Sequence, residues 1–331
     1  MKRRDFIAAS GSLLVANVTS AQQPGRVYRV GFLVQAAGTF LIEPLLAALR
    51  EQGWVNGRNL QFETRLSGGV PDIGALAKEL VAARCDVIVV AGTHMALATK
   101  QATSTIPIVM YLSGWPVEGG LVASYARPGG NITGLSTYGG SEKLWTKFMS
   151  LTAELLPSLR EMGVLWDYVA PLFLQKEVEY GLGELTRAAE LLKVRSHTWA
   201  IHKQGDMEDA LKAIAGAPVQ ALFATSGPFI SQPQNWQRIN EIAMRRRLPV
   251  VCDIAGSTFR NMGLLAYSVN WSDAAKRCAS FVDRILRGAK AGELPIEQPT
   301  NFELVLHPGR AKAIGLAIPP AMLIRADRVI E

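Results

Sequence analysis

Val87-Ile88-Val89-Val90-Ala91-Gly92-Thr93-His94 is the stretch from which the fold can be read. Its first five residues are apolar without a break, rich in β-branched side chains, and too few for a buried helix. A strand that is apolar on both faces is covered on both faces, as in a parallel sheet. Gly92 and Thr93 follow directly and lead into a helical stretch, 95–102. Strand, small residues, helix is the repeating step of an α/β protein.

Working outward, the same step recurs. A β-rich run spans 27–34, and a helical stripe at 41–52, apolar at 41, 45, 46 and 49, stops at Gly53. A strand at 60–66, a helix at 72–83, and strands at 107–112 and 132–136 complete one unit. A second unit follows: helix 141–155, strand 162–166, helix 172–192, strand 194–200, helix 206–215, strand 221–224, helix 236–246 and strand 249–253. Two such units predict a bilobed protein with a cleft between the carboxyl ends of the strands.

Composition agrees. The 331 residues are 49% hydrophobic and 19% charged, with three cysteines, which excludes disorder and a disulfide scaffold. The formal charge of +7 raises nucleic acid or an anionic membrane as partner. Residues 1–21 change that reading. Lys2-Arg3-Arg4 precedes a modestly apolar stretch and the small residues Thr19-Ser20-Ala21, the order of an export signal cut before Gln22. Arg3-Arg4-Asp5-Phe6-Ile7 is similar to a twin-arginine core, with Lys2 in place of the usual Ser or Thr. Removing this segment takes three basic residues and one acidic residue, and the charge falls from +7 to +5. The expected location is periplasmic. Arg245-Arg246-Arg247 is the one tight basic cluster, and a helix C-terminus explains it better than a phosphate surface. No nucleic-acid partner is expected. Cys85, Cys252 and Cys278 read as small buried hydrophobes.

Residues just after the strands are the candidate site. In the first unit these are Gln35 and Ala37, Gly92 and Thr93, then Ser113 and Trp115. In the second they are Trp166, Asp167 and Tyr168, Thr225 and Ser226, and Asp253. Helix starts with free N–H groups suit a carboxylate, an Asp facing them suits an ammonium, and Trp115, Trp166 and Tyr168 suit a flat apolar group. Ordinary caps, turns and core packing explain each residue singly; their common edge is what unites them. Signatures of chemistry are missing: there is no Gly-x-Ser-x-Gly elbow, no Walker loop, and no metal-ligand spacing around His94, His197, His202 or His307. No metal or cofactor is expected.

Several stretches carry a family resemblance. They include Gly53-Trp54-Val55-Asn56-Gly57-Arg58-Asn59, Cys85-Asp86-Val87-Ile88-Val89 and Thr105-Ile106-Pro107-Ile108-Val109. Gly120-Leu121-Val122-Ala123-Ser124 leading to Arg127-Pro128-Gly129-Gly130-Asn131-Ile132-Thr133-Gly134-Leu135 is the most specific, and Leu294-Pro295-Ile296-Glu297-Gln298-Pro299-Thr300 adds to it. Here the chain resembles the periplasmic substrate-binding proteins of ABC transporters, in the branch with tryptophan- and tyrosine-binding members. The resemblance implies a type I periplasmic-binding fold: α/β, two Rossmann-like lobes with parallel sheets, joined by three hinge crossovers. Lobe 1 would be 27–136 and 268–292, and lobe 2 would be 137–267 and 293–331, with crossings near Ser136-Thr137, Tyr267-Ser268 and Leu294-Pro295. It implies a monomer that closes on a small solute, an amino acid first among them, and delivers it to a membrane permease. Gly92, Thr93 and Ser113 would then meet the carboxylate and Asp253 or Asp167 the ammonium. Trp115, Trp166 or Tyr168 would meet the side chain, with Tyr267 beside a crossing. One departure stands out: Trp115-Pro116-Val117 replaces the family's usual Asp-Pro-Val. Two rival readings are a secreted enzyme on a bilobed scaffold, with His94 opposite Asp253 as its acid–base pair, and a ligand-sensing module for a partner receptor.

Overall fold

The computed structural model describes residues 25–68, 72–137, 142–167, 172–225, 229–230, 232–253 and 263–331. The expected export signal at 1–21 lies outside the described residues, as do Tyr168 and Ser226.

The first lobe is built on β1 (Tyr28–Gln35), β2 (Leu60–Ser67), β3 (Val87–Val90), β4 (Ile108–Ser113) and β5 (Ile132–Ser136), in the order β2-β1-β3-β4-β5, all parallel. β3 is buried at every position, as its unbroken apolar run requires. Helices α2 (Ile73–Ala82) and α3 (Thr93–Ala102) cover one face through Ile73, Leu80 and Met95. Helix α1 (Ile42–Glu51) covers the other through Leu45 and Leu49.

The second lobe holds α4 (Glu142–Leu155), β6 (Glu161–Asp167), α5 (Leu172–Leu191), β7 (Arg195–Ile201), α6 (Asp206–Gly216), β8 (Ala221–Ala224), α7 (Pro233–Arg246), β9 (Val250–Cys252) and β10 (Leu265–Val269). Helix α8 (Trp271–Leu286) then returns to the first lobe, where Phe281, Val282 and Cys278 pack against the face covered by α1. After it come β11 (Phe302–Leu306), two short helices, α9 (Pro308–Ala313) and α10 (Pro320–Arg325), and β12 (Arg328–Val329). The second sheet runs β12-β11-β10-β9-β8-β6-β7. All its pairs are parallel except β10 with β11. β10, β11 and β12 were not anticipated from periodicity: they are short, and β11 enters from the first lobe and so runs against its neighbour.

Three chain crossings join the lobes. Thr137 N donates to Ser113 O at 2.8 Å at the first. Asn270 N donates to Asn301 O at 2.9 Å, tying the second to the third. At the third, Ser136 N donates to Glu297 O at 2.9 Å and Glu297 N to Gly134 O at 3.0 Å. The chain is thus still held to β5 beyond the crossing expected at Leu294-Pro295, and Ile296 is buried in the first lobe. Arg277 on α8 fixes that strand from outside, its Nη2 2.7 Å from Glu297 Oε2 and its Nη1 2.8 Å from Gln298 O.

The three cysteines are free and buried, as their apolar surroundings imply. Burial, aided by the Glu63 charge, pushes the Cys85 thiol up to about 11, so it stays a thiol. Arg246 at the end of α7 donates to Ala217 O at 2.7 Å and to Ile214 O, satisfying carbonyls where α6 ends.

Phe281→Ala tests the return of α8. Its side chain is 1% exposed, and its loss should cost about 3–5 kcal/mol in urea unfolding. A cost under about 1 kcal/mol would show that α8 is not part of that core.

Candidate functional site

The carboxyl ends of the first-lobe strands come together. Gly92 stands before α3 with φ +100° and ψ 154°, a conformation close to glycine-only. It lets the chain turn sharply from β3 into the helix. Thr93 Oγ1 accepts from Gly114 N at 2.9 Å, which locks the end of β4 to the start of α3. Ser113 is fully buried, and its hydroxyl has no hydrogen-bond partner among the described residues. The end of β4 is irregular: its register with β5 shifts between Met110 and Ser113, and Leu112 and Trp115 take φ of +64° and +30°. Such conformations cost about 1–3 kcal/mol each and persist where the surroundings enforce them. Sequence patterning gives no sign of this bulge, which aims Ser113 and Trp115 differently from a regular strand.

Gln35 and His94 meet at 3.3 Å, Nε2 to Nε2. Burial pulls the His94 pKa down to about 4, so the ring is neutral at pH 7 and accepts from the Gln35 amide. Ala37 lies in the 3₁₀ turn Ala36–Leu41 that leads into α1.

On the second lobe, Asp253 follows β9 directly and is partly buried. With Thr137, Trp145, Phe148, Tyr267, Ser268, Val269 and Phe302 it lines a cavity at the base of the crossings. Tyr267 stacks on Phe302 with centroids 5.5 Å apart, and burial raises its pKa, aided by Asp327. The cavity is about 20 Å³, room for one water. The first and second lobes meet here, because Thr137 is hydrogen-bonded to Ser113.

Trp145, Phe148 and Phe302 were not singled out from sequence. Trp145 and Phe148 lie three apart on the first helix after a crossing, and Phe302 is the first residue of a strand after another; closeness to a crossing is the signal they shared. Trp166 and Trp115 were placed on the cleft wall by sequence, but they are 7% and 3% exposed and belong to the second lobe's apolar cluster. Trp166 packs on Trp145 at 5.8 Å. Asp167 ends β6, and Thr225 follows β8, its N donating to Leu165 O at 3.2 Å.

Comparison with known proteins places this geometry. The family model for ABC transporter substrate binding proteins matches residues 35–330. A curated relative, the tyrosine-binding protein of Clostridioides difficile, is 23% identical over 279 residues, covering 82% of this chain and 75% of that protein. Among solved structures, a conserved domain protein from Vibrio cholerae matches with a TM-score of 0.81 and 24% identity, over 92% of this chain and 100% of that one. An ABC domain in complex with L-Trp from Streptococcus pneumoniae matches with 0.82 and 20%, over the same shares. A ligand-free, open substrate-binding protein with adhesive properties from Clostridium difficile matches with 0.67 and 18%, over 92% and 99%. The architecture is the type I periplasmic-binding fold expected from the sequence. Two parallel-dominated sheets, three crossings and a family match over nearly the whole length lead to one conclusion: the chain belongs to the ABC transporter substrate-binding protein family.

Proposed function

We propose that this protein is the exported, periplasmic binding component of an importer, capturing an aromatic amino acid as a monomer and presenting it to a membrane permease. The observation that carries the reading is the hinge cavity: four aromatic rings, Trp145, Phe148, Tyr267 and Phe302, around one carboxylate, Asp253. Thr137 of its lining is hydrogen-bonded to Ser113, a buried residue, and the next residue, Gly114, is bound to Thr93 at a glycine-led helix start. Asp253 suits an ammonium, the Ser113–Thr93 side a carboxylate, and the rings an aromatic side chain. The tyrosine- and tryptophan-binding relatives support that choice. From the sequence, Gln35, Ala37, Thr225 and Ser226 are expected on the same rim, and Asp167 and Tyr168 as a second source of polar contact. A cavity of about 20 Å³ is too small for an amino acid, so entry requires the lobes to part and re-close around it.

The enzyme reading loses support at His94. A ring that is neutral down to about pH 4 and hydrogen-bonded to Gln35 is a weak general acid at neutral pH.

Titration calorimetry and thermal shift with L-tryptophan, L-tyrosine and L-phenylalanine test the proposal. At least one should bind, and Asp253→Asn should weaken it about 10–100-fold. Equal affinity for wild type and Asp253→Asn would remove Asp253 from the site.

A second test concerns His94. An unfolded chain takes up a proton at this ring near pH 6.5, the folded chain only near 4. Between those values the unfolded state binds more protons, so stability falls as pH drops from 6.5 to 4 and levels off below. His94→Gln should flatten that slope in pH-dependent unfolding; an unchanged slope would show that another group causes it.

A further inference from the structure

Trp115 has its backbone in one lobe and its side chain in the other. Its neighbours tie it to the first lobe. Gly114 N is bound to Thr93 on α3, Gly119 N donates to Trp115 O at 2.8 Å, and Val122 N donates to Pro116 O at 3.1 Å. Leu121 and Val122 are buried in the first lobe's core. The indole, 3% exposed, is instead part of the second lobe's apolar cluster with Trp145, Phe148, Trp166 and Leu185.

Its seat is Gly181, midway along the 20-residue helix α5. A Cβ at Gly181 would lie 2.3 Å from Cη2 of Trp115 and 2.9 Å from Cζ2 and Cζ3. No side chain fits there beside the ring. A glycine inside a helix costs about 1 kcal/mol relative to alanine; α5 carries two, Gly181 and Gly183, and the indole lies against Gly181. Trp115 itself holds φ +30°, a strained conformation for a bulky residue that persists only when its side chain is well anchored.

We infer that Trp115 and Gly181 form an interlobe latch, a ring and its socket, that holds the lobes together when no solute is bound. Opening the cleft must draw a large buried indole out of the second lobe's core, and a buried aromatic ring is among the more costly groups to expose. The latch is independent of which solute the protein takes, so its test uses none.

Ligand-stripped wild type, Gly181→Ala, Trp115→Ala and the double variant are compared by small-angle scattering and by melting temperature. The wild type should scatter as a closed particle, and both single variants should show a larger radius of gyration. The temperature readout changes sign. Gly181→Ala should lower the melting temperature when Trp115 is present. With Trp115 already alanine, the same change should raise it by about 2 °C, because only the helix preference remains. Equal radii across all four proteins, or a shift from Gly181→Ala that is the same in both backgrounds, would overturn the latch. Should Gly181→Ala fail to fold, the radius of Trp115→Ala against wild type decides alone.

Discussion

Everything at the centre of this protein depends on backbone hydrogen bonds among its three crossings. Ser136 to Glu297, Thr137 to Ser113 and Asn270 to Asn301 link segments distant in sequence into one short, cross-braced junction. Arg277 holds the third segment in place by pairing with both a carboxylate and a carbonyl. Because the junction is braced by backbone, the ends of β4, β9 and β10 keep a fixed relation, and the aromatic cavity with Asp253 forms between them. A hinge made only of flexible chain would leave Ser113 and Asp253 without a defined separation.

The lobes themselves were legible in the sequence wherever burial was two-sided. The β3 run at 87–90 and the strands at 132–136 and 221–224 are found where apolar continuity puts them, because a strand covered on both faces has no choice of register partner face. The last three strands escaped for a physical reason. β11 pairs antiparallel with β10 only because the chain re-enters the second lobe from the hinge, a fact of topology with no local signature.

The site was legible to a lesser degree. Strand-end positions pointed to Gly92, Thr93, Ser113 and Asp253; Thr93 is bound to Gly114 beside Ser113, and Asp253 lines the hinge cavity with Thr137. Trp115 and Trp166 were also found by that rule, but the rule names a strand end, not the direction of a side chain. For Trp115 the direction is set by two positive-φ residues and by the absence of a Cβ on Gly181, features that depend on a helix some 65 residues away. Trp145 and Phe148 entered the cavity from a helix, outside the reach of any strand-end argument. The Arg245–Arg247 cluster shows the reverse case: a striking charge run would have misled, whereas its position at a helix end gave the structural role found for Arg246.

The placement of the tryptophans has an optical consequence. Trp54 is fixed inside the first lobe, its Nε1 donating to Asp283 at 2.9 Å. Trp115, Trp145 and Trp166 share one apolar cluster in the second. Two of these belong wholly to that lobe, while the third is lent by the other. A separation of the lobes that withdraws Trp115 therefore changes the surroundings of the indoles in that cluster while Trp54 stays inside the first lobe, so the protein's own emission spectrum would report its degree of closure without an added dye.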